Sequence, residues 1–451
     1  HQVYRMRLFS CGFLLSTKMK RGLIMDLSWS ATATPSTTNG NVFFKWFDVE
    51  KYNALFSAFT SLDGSEKKKY KGAEDYIVKQ GGPSPSPEER NYKKYIDEMA
   101  ANFDHGRFYS ILPVDLYSEK DTIMDLLSSL ETENYIKTAY KSKKLKVIGE
   151  LRTDTAVKLT DSIRQGRSLL QSAYTANMLS KPLINFYAAS AYAYATIVIN
   201  SPLHKALDSL KGSHGHTYNH LKNTVEFGGK TPSGTFIDLL ASIYMPQVVT
   251  EDVSFRYSAL SSLDFIQNHE VSISLMALLS TVPELHDQAM QIPNVHNSVY
   301  PLKIKSIVKN EAVVYVFEIG NGIEKPSATS LKTIFKTTDV VEANGKYSVD
   351  VPVSKIRDIM PTIYQDTRGG LWYIEPLIER LYLPEICLHY LIISALCNIM
   401  RYSPHEWNNI LSNKVSSEFS LLISKYLRLF ELKYPMLVVQ QLTNFAPVIK
   451  P

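Results

Sequence analysis

The sequence predicts a mainly α fold, a multi-helix core with a small antiparallel β-sheet inserted at about residues 300–352. Three observations lead to this prediction. Apolar residues recur at helical spacing over most of the chain outside the insertion. Two stretches, 182–202 and 386–400, contain no Asp, Glu, Lys or Arg. Between 300 and 352 the pattern changes to alternating β-branched and aromatic residues, which is typical of strands.

The length and composition suit a folded protein of more than one packed unit. The chain has 451 residues, of which 45% are apolar and 21% charged, so two or three units are expected. We expect residues 1–24 to be a non-native extension with Met25 as the native start, because the sequence starts with His1 rather than methionine. A signal peptide is not expected, since the short apolar run lacks a cleavage site. Residues 25–157 are then a helical, lysine-rich N-terminal region, and residues 158–451 are the helical core with its β insertion.

The N-terminal region is expected to contain several helices. Apolar residues at helical spacing predict them at 43–60, 88–102 and 119–144. The segment 145–157 is short and mixed in character, and the sequence leaves open whether it is a strand or a linker.

The helical core begins with an amphipathic helix at 158–180 and continues with the uncharged stretch that Pro182 opens. Proline suits the first helical turn, where its missing N–H has no partner. The stretch is long enough to span a bilayer, but its asparagines and tyrosines favour a helix buried within a protein, so no membrane contact is expected. Another buried helix is predicted at 272–285.

The insertion carries a hairpin signal, and helices are expected after it. Asn344-Gly345 is the preferred dipeptide of a two-residue hairpin turn. From residue 371 we expect helices until the end of the chain. Cys387 and Cys397 fall in one of them, where a thiol is usually a small buried side chain. Three cysteines without a CxxC pair predict no disulfide framework and no structural zinc, and they favour a cytoplasmic location.

A run of lysines gives the N-terminal region a candidate nucleic-acid surface. Tyr135 and Tyr140 are interleaved with this run, and rings beside cations suit a phosphate backbone with stacked bases. The alternative is an ordinary solvated helix face, which the net charge of only +5 favours. The candidate residues are Lys137, Lys141, Lys143, Lys144 and Lys146.

Residues 213–220, SHGHTYNH, form what we call the histidine segment. His216 and His220 are four residues apart and would share one helix face, with His214 as a third nitrogen ligand for zinc. Without a carboxylate or cysteine nearby in sequence, a polar loop is the favoured interpretation, and neither a metal nor a cofactor is predicted. His214 is instead a candidate proton-transfer group, because the ordinary pKa of histidine lies near neutrality.

Residues 401–407, RYSPHEW, satisfy the local rules for a corner between two helices. With Ser403 as the N-cap, Pro404 falls at the first helical position and Glu406 completes a capping box. Tyr402 and Trp407 then occupy the two positions of a hydrophobic staple. Arg401 ends the preceding helix, where a cation complements the helix dipole. His405 is expected to face solvent.

The same stretch supports a catalytic hypothesis. Arg401 and Glu406 would act with His214 on a phosphate ester, provided that these distant residues meet in one cleft. Helical ribonucleases of the HEPN class also use an arginine and a histidine, but four to six residues separate the two in that class. Here Pro404 intervenes and His405 lies too close to Arg401, so that class is disfavoured.

Four motifs occur in an order that resembles the YaaC-like family of bacterial proteins. A Pro-Leu stretch followed by a tyrosine opens a central helix, an HG dipeptide follows, a buried helix ends in a Pro-Glu-Leu turn, and an RY-x-P-x-x-W corner closes a late helix. The resemblance covers roughly residues 165–445 and leaves the N-terminal part unmatched. The matching residues are Pro182, Leu183, Tyr187, His214, Gly215, Leu279, Pro283, Glu284, Leu285, Arg401, Tyr402, Pro404 and Trp407.

The resemblance implies a cytoplasmic bacterial protein and supplies no catalytic residue, because the family has no established activity. Some of its members resemble passengers of defence or mobile-element loci, which suggests a nucleic-acid context. We therefore expect a non-catalytic interaction protein that binds a protein partner or nucleic acid. The alternative is a ribonuclease or nucleotide-processing hydrolase that uses His214 and Arg401. The oligomeric state does not follow from the sequence.

Overall fold

The structure is a computed structural model of the full chain. It describes the backbone of residues 33–38, 41–46, 55, 57–81, 110–115, 118–143, 151–200, 207–210, 212–230, 232–247, 255–258, 260–309, 312–318, 326, 331–332, 340–343, 346–352, 362–443 and 445–450.

Helices dominate the described residues, which confirms the predicted fold class. The helices before the histidine segment are α1 (Gly64–Lys67), α2 (Ala73–Lys79), α3 (Glu119–Ser129), α4 (Glu133–Lys143), α5 (Thr153–Thr175) and α6 (Lys181–Asn200). Those after it are α7 (Thr235–Ser242), α8 (Leu260–Asn268), α9 (Leu275–Ser280), α10 (His286–Ala289), α11 (Glu385–Tyr402), α12 (Pro404–Leu411) and α13 (Ser417–Leu442).

Helix α6 lies at the centre of the core, as its uncharged sequence predicts. It packs against α5, α7, α11 and α13, and Pro182 lies in its first turn as expected. Among the described helices, α6 is long and apolar enough by itself to cross a membrane, and 78% of its most apolar window is buried inside the fold. Helices α11 and α12 meet that criterion only as a pair, bent by 113°.

Glycine at position 166 lets α5 and α6 approach closely. A Cβ atom at Gly166 would lie 2.8 Å from Cζ of Tyr192. The Tyr192 ring is completely buried and fills the space that any larger residue would need. The contact between the two helices therefore depends on the missing side chain.

A six-stranded antiparallel sheet forms the predicted insertion. Its strands are β9 (Val299–Lys309), β10 (Ala312–Glu318), β11 (Val340–Ala343), β12 (Lys346–Pro352), β13 (Ile363–Gln365) and β14 (Leu371–Ile374), in the order β11-β12-β10-β9-β14-β13. Ala343 pairs with Lys346, so β11 and β12 are antiparallel neighbours. The predicted turn residues Asn344 and Gly345 lie outside the described residues. The expectation of helices from residue 371 is wrong, because β14 completes this sheet and α11 begins only at Glu385.

A second sheet carries the histidine segment. Strands β4 (Thr217–Asn219), β5 (Thr224–Gly228) and β8 (Glu270–Ser274) are antiparallel in the order β4-β5-β8. The predicted helix at 272–285 is therefore wrong in its first turn, where β8 pairs with β5. Helix α9 follows, and then a 3-10 turn at Pro283–Leu285. His216 and His220 flank a strand rather than sharing a helix face.

The N-terminal elements agree only in part with the sequence predictions. Strands β1 (Ala33–Thr38) and β2 (Asn41–Trp46) pair antiparallel, so the predicted helix at 43–60 is wrong at its start, although residues 57–61 are helical. Helices α3 and α4 confirm the helical prediction for 119–144. The predicted helix at 88–102 lies outside the described residues, and so do residues 145–150. The later part of segment 145–157 is neither strand nor linker, because α5 begins at Thr153.

Strand β3 (Ser110–Asp115) connects the N-terminal region with a strand near residue 450. It pairs in parallel with β15 (Phe445–Lys450), the last described strand. Helices α3 and α4 pack against α5, and α3 also packs against α13. Apolar side chains of these elements belong to the same buried cluster as those of α6 and α11.

Strands β6 (Tyr244–Gln247) and β7 (Phe255–Ser258) form a further two-stranded antiparallel sheet.

A buried ionic cluster links the large sheet to the helical core. The Nζ atom of Lys433, on α13, lies 2.9 Å from a carboxylate oxygen of Glu385 and 3.3 Å from one of Glu284. It also donates a hydrogen bond to the carbonyl of Gln365, while Glu284 accepts one from the backbone N–H of Thr367 at 2.9 Å. Burial, together with the other carboxylates nearby, raises the pKa of Glu385 to about 7.

Candidate functional site

Backbone hydrogen bonds fix the start of the histidine segment against α7. The carbonyl of Ser213 accepts from the backbone N–H of Thr235 at 2.8 Å, and the carbonyl of His214 accepts from that of Phe236 at 2.9 Å. Gly215 and Gly234 both have positive φ, and a Cβ atom on Gly234 would lie 2.5 Å from the backbone nitrogen of Gly215. Two glycines are therefore needed for this close approach.

His216 joins the histidine segment to α11. Its Nδ1 atom lies 3.1 Å from the carbonyl oxygen of His214, and because a carbonyl only accepts, Nδ1 carries the proton. Its Nε2 atom then accepts a hydrogen bond from the hydroxyl of Ser394, at 2.6 Å. The ring contacts Phe236 and Tyr390 edge to face. Burial lowers the pKa of His216 to about 4, so the imidazole is neutral at pH 7.

His214 is more exposed than His216 and lies close to Arg401. Its ring packs edge to face against Phe186, with ring centroids 5.2 Å apart. Partial burial and the positive charge of Arg401 both lower the pKa of His214, because each disfavours the imidazolium. The structure thus places Arg401 within electrostatic range of His214, and these are the two residues on which the catalytic hypothesis depends.

Arg401 is exposed in the last turn of α11, which confirms its predicted place at the end of that helix. Its guanidinium carbon lies 4.9 Å from the centre of the Tyr402 ring, a cation–π contact. The side chain also hydrogen-bonds the thiol of Cys397, one turn earlier. Burial raises the pKa of Cys397 to about 11 despite this nearby positive charge, so the thiol is a buried neutral group, as predicted.

The corner between α11 and α12 follows only part of its predicted geometry. Ser403 is the N-cap of α12 and Pro404 occupies the first turn, as expected, but the Ser403 side chain makes no capping hydrogen bond. Its hydroxyl lies instead 3.1 Å from Nδ1 of His220, so the predicted capping box is wrong. Trp407 is buried, whereas Tyr402 is 62% exposed beneath Arg401.

Glu406 lies at the other end of the histidine segment from His214. Its negative charge adds to burial in raising the pKa of Tyr218 to about 12. The Tyr218 ring is in turn 4.9 Å from the ring of His220, in an edge-to-face contact. Glu406 therefore faces Tyr218, while Arg401 affects His214. His405, between them in sequence, is exposed as predicted.

Two imidazole rings of the histidine segment form hydrogen bonds with serine hydroxyls. Ser394 bonds His216 and Ser403 bonds His220. Among the residues that the structure describes, no three or more His, Cys, Asp or Glu side chains are grouped so that they could hold a metal ion.

The lysine-rich face lacks the exposed rings that the sequence suggested. Tyr140 is buried, and the hydroxyl of Tyr135 donates to the carbonyl of Leu442 at 3.2 Å. The prediction that these tyrosines stack on bases is therefore wrong. Lys137 is half-buried, 3.0 Å from the hydroxyl of Thr153. Lys141 is exposed; Lys144, Lys146 and the side chain of Lys143 lie outside the described residues.

Residues 228–230, which begin a GGKT stretch, lie in a turn. Gly228 and Gly229 have positive φ, and the N–H of Gly229 lies 2.9 Å from the carbonyl oxygen of Ile266 and 3.0 Å from that of His269. These contacts close the loop between β5 and α7 rather than forming a phosphate-binding loop.

Sequence reasoning missed the residues that hold the site together. Ser394 lies in an uninterrupted apolar run, and nothing local marks it as the partner of His216. Tyr402 was assigned to a hydrophobic staple, yet it is exposed beside Arg401. The sequence signal that could have identified Tyr402 is the RY dipeptide, which places an arginine next to a tyrosine at the end of a helix.

The fold and the site together define a class: a mainly helical protein with a histidine segment held against the end of a core helix. More specifically, the chain belongs to the YaaC-like family. The family model described as YaaC-like Protein matches residues 125–442, from within α3 to the end of α13, and leaves the N-terminal part unmatched. No curated protein and no solved structure matches the chain.

Proposed function

We propose that this YaaC-like protein is a non-catalytic binding protein whose ligand is nucleic acid, held by its phosphate at a surface formed by His214, Arg401 and Tyr402. We call this the His–Arg surface. The observation that supports the proposal is the position of Arg401, an exposed guanidinium beside a histidine whose pKa it lowers.

The chemistry of this pair suits an anion. A guanidinium donates two parallel hydrogen bonds to phosphate oxygens. The Arg401 side chain is already oriented by the Tyr402 ring and the Cys397 thiol, so less conformational freedom is lost on binding. A phosphate placed there would also stabilise a proton on His214, offsetting the effect of Arg401.

The lysine-rich face is a weaker candidate for the same role. Lys137 makes a 3.6 Å ion pair with Glu133 on its own helix, and the neighbouring tyrosines contribute to the core. Lys141 is the exposed cation that remains on the described part of that face. The proposal therefore moves the phosphate contact from helix α4 to the His–Arg surface.

Binding of a fluorescent single-stranded RNA, measured by anisotropy, tests the proposal. We expect Arg401→Ala to weaken binding by roughly tenfold or more, as loss of a charge-assisted phosphate contact predicts. The affinity should also fall as salt rises, because counterions are released. Arg428→Ala, at an exposed position on α13, is the matched control and should bind like wild type. Equal affinities for wild type and Arg401→Ala would contradict the proposal.

A hydrolase is the second candidate, and the exposure of His214 favours it. A neutral imidazole beside a guanidinium has the groups needed to accept a proton and to stabilise a phosphorane charge. The assignment of His214, Arg401 and Glu406 as catalytic residues stays a prediction. Cleavage of labelled RNA that His214→Ala abolishes without lowering the melting temperature would support it; no cleavage by wild type would contradict it.

The cellular setting is part of the proposal as well. We propose a bacterial cytoplasmic protein, in a defence or mobile-element context. The support is the family resemblance together with Cys387 and Cys397, which are buried free thiols compatible with a reducing compartment. Fractionation of the native cell, with the protein found in the membrane or outside the cell, would contradict this location.

A further inference from the structure

Two tyrosines on or beside the His–Arg surface leave much of their rings in water. Tyr402 is 62% exposed and Tyr187 is 48% exposed. Several other tyrosines are completely buried, Tyr192 and Tyr390 among them. Tyrosine combines a flat apolar ring with a polar hydroxyl, and for this reason it is enriched at recognition surfaces.

Ring contacts connect Tyr402 to Arg401 directly, and Tyr187 to His214 through Phe186. Tyr402 follows Arg401 directly, and the guanidinium lies over its ring. The Phe186 ring contacts both His214, at 5.2 Å between centroids, and Tyr187, at 6.1 Å. These contacts join α6 to the histidine segment, and Arg401 at the end of α11 lies within electrostatic range of His214.

We infer that Tyr187 and Tyr402 are stacking positions for unpaired bases, so that the ligand class is single-stranded nucleic acid. This rests on the proposed function, in which Arg401 holds a phosphate. The flat, partly exposed faces of the two rings suit base stacking, which contributes about 1–3 kcal/mol per base and tolerates any sequence. The stacked guanidinium of Arg401 extends the flat surface next to Tyr402.

Charge favours a single strand over a duplex. A duplex hides its base faces and is bound mainly through many phosphates, so duplex binders present broad cationic surfaces. This chain has a net charge of only +5, and Arg401 is the cation that affects His214. Stacking must therefore contribute much of the affinity, and it requires bases that are not paired.

Abasic oligonucleotides separate stacking from phosphate binding. Three fluorescent ligands of about twelve nucleotides, within the range of single-stranded sites, would be compared by anisotropy: a base-bearing strand, an abasic strand and a duplex. We expect the base-bearing strand to bind wild type about tenfold or more tighter than the abasic strand, as one or two stacked bases predict. The duplex should bind more weakly than the base-bearing strand.

Substitutions of Tyr187 and Tyr402 test whether these two rings are the stacking positions. Tyr187→Leu should weaken binding of the base-bearing strand by roughly five- to tenfold and leave the abasic strand unchanged. Tyr402→Leu should weaken the base-bearing strand more than the abasic strand, because the Tyr402 ring also orients Arg401. Tyr402→Phe keeps a ring and should retain wild-type affinity. Leu421→Ala, at a position on α13 that is 57% exposed, is the control and should change neither.

The two proposals fail in different ways. Equal affinity of the base-bearing and abasic strands for wild type, with both weakened by Arg401→Ala, would overturn the stacking inference and leave the phosphate site intact. Tighter binding of the duplex would also overturn it. No binding of any of the three ligands would overturn the proposed function itself.

Discussion

The Nε2 atom of His216 lies 2.6 Å from the hydroxyl oxygen of Ser394, although the two residues are 178 positions apart in sequence. The other ring nitrogen, Nδ1, donates a hydrogen bond to the carbonyl oxygen of His214. One imidazole therefore connects the backbone of His214 to α11, the helix that carries Arg401 in its last turn. The position of His214 relative to Arg401 depends on this connection.

Replacing Ser394 by alanine removes the hydroxyl that Nε2 of His216 accepts from. The acceptor is then left without its hydrogen bond in a mostly buried place, and we expect a loss of about 1–3 kcal/mol in the free energy of unfolding. Urea denaturation followed by circular dichroism measures the change.

A second serine in the same region provides the control. Ser412 is exposed and bonds only the carbonyl of Asn408, four residues earlier. Ser412→Ala should change the free energy of unfolding by less than about 0.5 kcal/mol. Equal effects of the two substitutions would show that the bond between His216 and Ser394 contributes little.

Glu385→Gln should change how stability depends on pH. The pKa of Glu385 is raised in the folded chain, from an ordinary 4.5 to about 7, so the folded state binds this proton more tightly than the unfolded state. The contribution of this carboxyl is most favourable below pH 4.5 and is lost as pH rises towards 7. The stability of wild type relative to Glu385→Gln should therefore fall between about pH 5 and 7.5.

Denaturant titrations of both proteins across that range measure this difference. Histidines with lowered pKa, such as His216 and His389, act in the opposite direction but are common to both proteins, so they cancel in the comparison. A difference that is constant or rises with pH would contradict the position of Glu385 between Lys433 and Glu284.

Gly166→Ala should destabilise the fold despite the higher helix propensity of alanine. The new Cβ atom would lie 2.8 Å from the buried ring of Tyr192, and overpacking of this kind costs about 1–3 kcal/mol. Gly64 has nothing within 4 Å of the same position, so Gly64→Ala should be neutral or slightly stabilising. Melting temperatures of the two variants test the contact. An unchanged melting temperature of Gly166→Ala would contradict it.

Arg401→Gln should raise the pKa of His214 towards its ordinary value of 6.5. The positive charge of Arg401 is one of two causes that lower this pKa, and glutamine removes the charge while keeping a polar side chain. The ring-proton chemical shifts of His214, followed by NMR as pH changes, measure it. His405 is exposed nearby and provides an internal reference. An unchanged pKa would place Arg401 too far away to act on His214.

The helices were predictable where their pattern is local. Helix α5 has an amphipathic sequence, whereas α6 and most of α11 are uncharged and apolar, and the structure places all three in the core as the sequence indicates. Strand β8 was missed because its partner β5 is distant in the chain. Strand β14 pairs with the nearby β13 as well as the distant β9, and it was missed because helical spacing and strand alternation are hard to distinguish over four residues. The pairing of β11 with β12 was predictable because Asn344-Gly345 between them is a local hairpin signal.

The candidate site was predictable in its residues but not in its contacts. Local rules predicted that the Ser403 hydroxyl forms a capping box with the backbone of α12. The hydroxyl instead bonds the ring of His220, a residue distant in sequence. Tyr135 and Tyr140 lie between lysines in sequence, but the helix turns them inward. The electrostatic effect of Arg401 on His214 depends on packing of α6, α11 and the histidine segment, which no short stretch of sequence specifies.

The most direct test of the central claim is the pKa of His214 with and without a saturating single-stranded oligonucleotide, measured by NMR. If a phosphate binds between His214 and Arg401, its negative charge stabilises the imidazolium, and the pKa of His214 must rise above its ligand-free value. An oligonucleotide that binds and leaves this pKa unchanged would contradict the assignment of the His–Arg surface as the binding site.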